Sequence, residues 1–168
     1  MTTLLDDAFK HHAWANERIL EACANLTREQ LATPMPGTFG PILDTLRHLI
    51  GSDNWYLWVI TEGTHEEFEE ETAGIPELLA GAGRSAAGWA ALLAGDVDPD
   101  EMTVRRGDGW EFHAPLGLRL AQAVHHGTDH RSQVCTALTG LGIQPPDIDV
   151  WAYGETTGRT REVGQPAG

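Results

Sequence analysis

The chain has 168 residues, enough for one domain with a core and too few for two comfortable ones. Its 11 Lys and Arg against 25 Asp and Glu leave a formal charge of -14 at pH 7, which repels a phosphate backbone and argues against nucleic acid as a direct partner. No apolar run approaches the roughly 20 residues of a membrane span, and MTTLLDDAFKHH has no basic-then-apolar leader pattern, so a cytoplasmic protein without a membrane partner is expected.

The first predicted helix runs from Leu4 to Asn25. Leu5, Phe9, His12, Asn16, Ile19, Cys23 and Leu26 follow the three-then-four spacing of one buried stripe. His12 and Asn16 interrupt this apolar seam: they either hydrogen-bond to each other or to a neighbouring helix, or line a polar cavity. Cys23 and Cys135 form no CxxC pair and read as small buried apolar residues.

ATPMPGTFG, residues 32–40, reads as a loop, and Pro41 suits the first turn of a second helix ending at Glu62. Ile42, Leu46, Leu49, Asp53, Leu57 and Ile60 make one seam; His48, Ser52, Trp55 and Val59 make another. Two seams mean two helical neighbours, as in a bundle. A carboxylate at Asp53, inside an apolar seam, must be paired, hydrogen-bonded or near solvent. The acidic run His65 to Glu71, HEEFEEE, has no helical register with the other ligand candidates and reads as solvated surface.

A third helix is predicted from Ile75 to Ala94, with Pro76 in its first turn. Gly81, Gly83 and Gly88 weaken it, each by up to about 1 kcal/mol relative to alanine. Glu101 to His113, EMTVRRGDGWEFH, has the alternation and Gly-Asp-Gly punctuation of a hairpin that could cover one end of a bundle. The last long helix runs from Leu116 to Leu141, with Leu116, Leu120, Ala123, Gly127, Val134, Leu138 and Leu141 as its buried stripe. Pro145 and Pro146 follow its end, and Ile148 to Tyr153 has enough apolar surface to dock. The domain is expected over 1–155, with a flexible C-terminal tail over 156–168.

The densest set of metal-ligand types is QAVHHGTDHRSQ, residues 122–133. On a helix, His126 and His130 lie about 40° apart and leave from one face, whereas His125 points away from the apolar stripe and is expected in solvent. His48 on the second helix supplies a third imidazole that a bundle can bring to these two. Three protein ligands with a vacant position are the usual plan of a catalytic zinc site. Gly127 stands where an HExxH motif has its glutamate, which argues against peptidase chemistry. Asp53 and Asp129 are the nearby carboxylates, although Asp129 points roughly 100° from His130. A chance pair of helical histidines is the competing reading.

TLRHLIGSDNWYLW around His48, HHGTDHRSQ around His126 and His130, WANERIL at Trp14 to Leu20, and PPDIDVWAYGE near the end occur in an order that resembles the DinB/YfiT-like family of metal-binding four-helix proteins. The resemblance implies an all-α four-helix bundle with up-down-down-up connectivity and a homodimeric state. It also implies a divalent metal, with Zn first and Ni, Fe or Mn as alternatives, held by His48, His126 and His130. Related activities include thiol S-transferases and isomerases that use mycothiol or bacillithiol. The expected function is therefore activation of a low-molecular-weight thiol or water, for transfer to or hydrolysis of a small electrophilic substrate. The alternative is a non-catalytic, stress-linked metal-binding dimer. Asn16, Asp53 and Gln133 are the candidate catalytic or supporting residues, and Arg131 is expected to buttress the helices or a dimer contact.

Overall fold

The computed structural model describes residues 4–163; the remainder of the predicted tail, residues 164–168, lies outside the described residues. Four long helices make the bundle: α1 (Leu4–Cys23), α3 (Ile42–Ile60), α4 (Ile75–Leu93) and α5 (Leu116–Gly140). A four-residue α2 (Arg28–Leu31) follows α1. The hairpin of β1 (Met102–Gly107) and β2 (Trp110–Pro115) precedes α5, and α6 (Val150–Thr156) closes the described chain. The predicted bounds of the long helices agree with these to within two residues.

α1 packs on α4 and α5, and α3 packs on the same two helices, so the ring order is α1, α4, α3, α5. Each helix buries most of the stripe its periodicity announces, although Leu5 on α1 and Trp55 in the second seam of α3 are exposed. Phe9, Ile19 and Cys23 from α1, Leu46, Leu49 and Leu57 from α3, Leu78 and Trp89 from α4, and Leu120, Val134 and Leu138 from α5 form the apolar interior. Burial pushes the Cys23 thiol up to about 12, consistent with an inert core residue.

The glycines of α4 have opposite roles. A Cβ at Gly81 would stand 2.7 Å from the Phe68 ring, and one at Gly88 would stand 2.8 Å from Leu57, so α3 and the segment after it approach α4 along these positions. At Gly83 a Cβ would meet nothing within 4 Å. The weak helix propensity is therefore offset at two of the three positions by close packing.

Two short helices lie beyond the predicted set. α2 is started by a capping box in which Thr27 Oγ1 accepts from the Gln30 N–H at 3.2 Å and Gln30 Oε1 accepts from the Thr27 N–H at 2.9 Å. The Thr-x-x-Gln spacing of TREQL carries that signal. α6 is capped by Asp149, whose carboxylate accepts from the Ala152 N–H at 2.7 Å, and it docks on α1 through Tyr153. Beyond α6, Arg159 donates to both carboxylate oxygens of Asp7, at 2.6 and 2.8 Å.

The hairpin runs two residues further than predicted, pairing Met102 with Pro115. Its base continues straight into α5: the Leu116 N–H donates to Glu101 O and the Gly117 N–H to Pro99 O, each at 2.8 Å. It leans on α3 through β1 and on α5 through β2.

The acidic run is not plain surface, which corrects the expectation above. Phe68 packs against the core, and His65 bonds through Nε2 to Asn54 Oδ1 at 3.0 Å. Glu70 is half-buried beside α3. Reading the run by charge alone misses the apolar Phe68, which draws the connection down onto the bundle.

Candidate metal centre

α3 and α5 are neighbours in the ring, and their facing edges carry His48 from one and His126 and His130 from the other. The Nε2 atoms converge: His126 to His48 is 3.2 Å, and His126 to His130 is 3.1 Å. Potential ligand atoms of all three residues lie within 4.8 Å of one another. Two nitrogens each about 2.0–2.1 Å from one tetrahedral ion stand about 3.3 Å apart, so these spacings fit three donors around a common centre.

Proton counting favours the same arrangement. His126 Nε2 has either one proton or one lone pair, so it makes one good hydrogen bond and leaves the second short contact unsatisfied. A shared cation satisfies all three lone pairs.

The tautomer of His130 follows from its neighbour. Gln133 Oε1 accepts from the Phe39 N–H at 2.8 Å, which orients the amide, and the same oxygen lies 3.2 Å from His130 Nδ1. Nδ1 is therefore the donor, and Nε2 keeps the lone pair that a metal needs. Ser52 Oγ lies 3.5 Å from His48 Nδ1, one turn along α3.

Aromatic rings wall the triad. Phe39 stacks on His48 with a centroid separation of 4.2 Å and lies perpendicular to His130 at 5.5 Å, and the Tyr56 and His126 rings meet in a T at 5.7 Å. Burial, followed by the fields of His130 and His48, lowers the His126 pKa to about 4. Burial and His48 lower that of His130 as well. Both rings are neutral at pH 7, the state that ligates.

Gln133 is thus the candidate that touches a triad histidine. Asn16 and Asp53 belong instead to a second polar cluster across α5. His12 Nε2 donates to Asp53 Oδ1 at 3.0 Å, and the Trp89 indole donates to the same oxygen at 3.0 Å. Arg131 Nη1 donates to Asn16 Oδ1 at 2.7 Å and approaches His12 Nδ1 at 3.3 Å. The buried guanidinium and the buried carboxylate are therefore joined through one imidazole.

Burial opposes the charge on Asp53, but His12 and the Ser85 and Trp89 donors outweigh it and hold the carboxyl below its ordinary value. Burial lowers Arg131 to about 10, still charged at pH 7. The expected buttressing role of Arg131 is what these bonds perform. Of the two readings of His12 and Asn16, hydrogen bonding to neighbouring groups holds.

The register of α5 separates the two clusters. His126 and His130 face α3, while Gly127 and Arg131, one residue on in each case, face α1. A Cβ at Gly127 would stand 2.4 Å from His12 Cε1 and 2.8 Å from Arg131 Nη1. His125 is in solvent as expected, 3.5 Å from Asp129, which is also exposed.

Three neighbours of the triad go unmarked in the sequence reading. Tyr56 stands eight residues after His48, with Ser52 between, and this i, i+4, i+8 spacing is a usable signal. Phe39 sits in a loop whose composition says nothing of a site. Glu70 rests against Gly51, where a Cβ would lie 1.5 Å from its Oε2; burial raises its pKa and the field of His48 opposes that rise.

Comparison with protein-family models matches the DinB family over residues 1–164. A search of curated proteins returns no match.

Proposed function

The chain belongs to the DinB family, and on that premise we propose that His48, His126 and His130 hold a divalent metal ion, Zn first and Ni, Fe or Mn as alternatives, in a small-molecule enzyme. The observation that carries the reading is the convergence of three Nε2 atoms at 3.1–3.2 Å around His126, with His130 fixed by Gln133 as a lone-pair donor. When bound, such an ion supplies Lewis acidity that brings water or a low-molecular-weight thiol such as mycothiol or bacillithiol to its nucleophilic form near neutral pH.

The protein's own groups set the conditions for that chemistry. Gln133 holds the His130 ring in place, Phe39 covers the His48 face, and Tyr56 closes the side next to His126. The rings of Phe39 and Tyr56 cover part of the site, and burial keeps the His126 and His130 imidazoles neutral at pH 7. Transfer to, or hydrolysis of, a small electrophile is the reaction class this arrangement suits. A homodimer in the cytoplasm, with no nucleic-acid partner, completes the reading and is supported by the family and the acidic charge. Among the described residues no helix is long and apolar enough to cross a membrane.

One observation favours the second reading, a metal-binding protein without turnover: Asp53, the obvious base on α3, is already held by His12 and Trp89.

Metal analysis of untagged protein tests the site. One divalent ion per chain is expected, with loss of occupancy in His126→Ala and in His130→Ala. Full occupancy in either variant would overturn the assignment. Turnover of electrophiles in the presence of mycothiol or bacillithiol by metal-loaded protein separates the two readings.

A further inference from the structure

Next to the triad, between α3, α5 and the hairpin, lies a cavity of about 370 Å³, within the usual size range of small-molecule sites. Tyr56 is shared: it forms one wall of the cavity and meets His126 on its other side. Trp55, Phe112 and Leu118 supply the apolar lining, and Arg105 and Arg119 stand at it.

In this acidic chain Arg18, Arg47, Arg106 and Arg159 each pair with a carboxylate. Among the described residues neither Arg105 nor Arg119 has such an ion pair. What distinguishes these two arginines is that they share one aromatic-lined cavity, since Arg28, Arg84, Arg131 and Arg161 likewise have no carboxylate ion pair among the described residues. Arg105 is sandwiched between the Trp55 and Trp110 rings, 4.8 Å from each centroid. Arg119 is buried, donates to Thr103 Oγ1 and lies over the Phe112 ring.

The field of Arg105 helps to depress the Arg119 pKa, after burial, so the two cations repel each other across the site. Strand alternation places Arg106, next to Arg105, on Glu111 instead. Two positive charges without counter-ions, set in aromatic walls, describe half of an ion pair whose other half comes from outside.

We infer that this cavity binds a small organic carboxylate with a flat apolar body, its carboxylate on Arg105 and Arg119 and its body against Trp55, Tyr56 and Phe112. A guanidinium matches a carboxylate in the plane, and stacked rings hold its orientation. That this ligand is the substrate of the neighbouring centre rests on the metal-site reading above; the binding itself does not.

The test is calorimetric titration of the full chain, with and without bound metal, with 2-naphthoate, its neutral amide 2-naphthamide, and 2-naphthyl phosphate. Arg105 is exposed, so Arg105→Gln leaves the fold intact, and Arg106→Gln controls for simple loss of charge. Saturable naphthoate binding to metal-free protein is expected, weakened about tenfold or more by the amide replacement and by Arg105→Gln, and unchanged by Arg106→Gln. Metal occupancy should stay the same in both variants. Equal binding by Arg105→Gln, equal binding of the amide, or binding that requires the metal would overturn the inference. Tenfold tighter binding of the phosphate would overturn the choice of carboxylate. A change of oligomeric state in Arg105→Gln with no naphthoate binding by the wild type would assign the surface to a second copy of the chain and overturn it too.

Discussion

Gln133 and Asp53 are both polar residues near histidines, yet their consequences on substitution differ. Gln133 orients His130, a ligand in the proposed site, so Gln133→Leu should lower metal affinity by about 10- to 100-fold while the protein stays folded, as competition with a chromophoric chelator would show. Asp53 anchors the buried chain of His12, Trp89 and, through His12, Arg131. Asp53→Ala removes the compensating charge and strands the others, and should cost about 3–5 kcal/mol in denaturant unfolding. Equal unfolding midpoints and slopes for wild type and Asp53→Ala would contradict the anchoring role. That Asp53 needed a partner was legible from its place in an apolar seam. Which partner it takes depends on helices far apart in the chain, and no local spacing encodes that.

At the level of elements, the long helices announced themselves because apolar stripes and proline or glycine punctuation are local. Their ring order follows from packing and is not written in any one of them. α2 and α6 were missed for a related reason: one or two turns are too short to show a period, and their evidence is a cap such as Thr27 with Gln30 or Asp149 with Ala152. The glycines give a prediction of opposite signs. Gly83→Ala, whose Cβ meets nothing, should stabilise the protein by up to about 1 kcal/mol. Gly81→Ala pushes into Phe68 and Ile50 and should destabilise it by about 1–3 kcal/mol. Thermal unfolding of the two variants checks both, and midpoints moving in the same direction would contradict this packing.

Across the whole molecule, the triad has a signature in the acid stability of the metal-free protein. The His126 pKa falls from 6.5 to about 4, so between those values the unfolded chain takes up a proton that the folded chain refuses. The contribution of His126 to stability is fully present above about pH 6.5 and is lost as pH falls through about 4. His130 adds in the same direction. Unfolding free energy of metal-free protein should therefore decline over that window, and His126→Ala should flatten the decline. An unchanged slope in the variant would contradict a neutral His126 in the folded chain. The three clustered histidines were recognisable from sequence because His126 and His130 share a helical face and His48 occupies a matching seam. Phe39, Tyr56 and Glu70 gather around them only through the fold.

Gly127 also constrains what this scaffold can become. Placing a glutamate beside His126 would create the HEXXH arrangement of a hydrolytic zinc helix in one substitution. Here that side chain would be driven into His12 and Arg131, so the change would dismantle the polar lock between α1 and α5. Acquiring such a base would take compensating changes on two helices together, which makes it inaccessible by single steps and directs engineering of new chemistry toward the Tyr56 side of the centre.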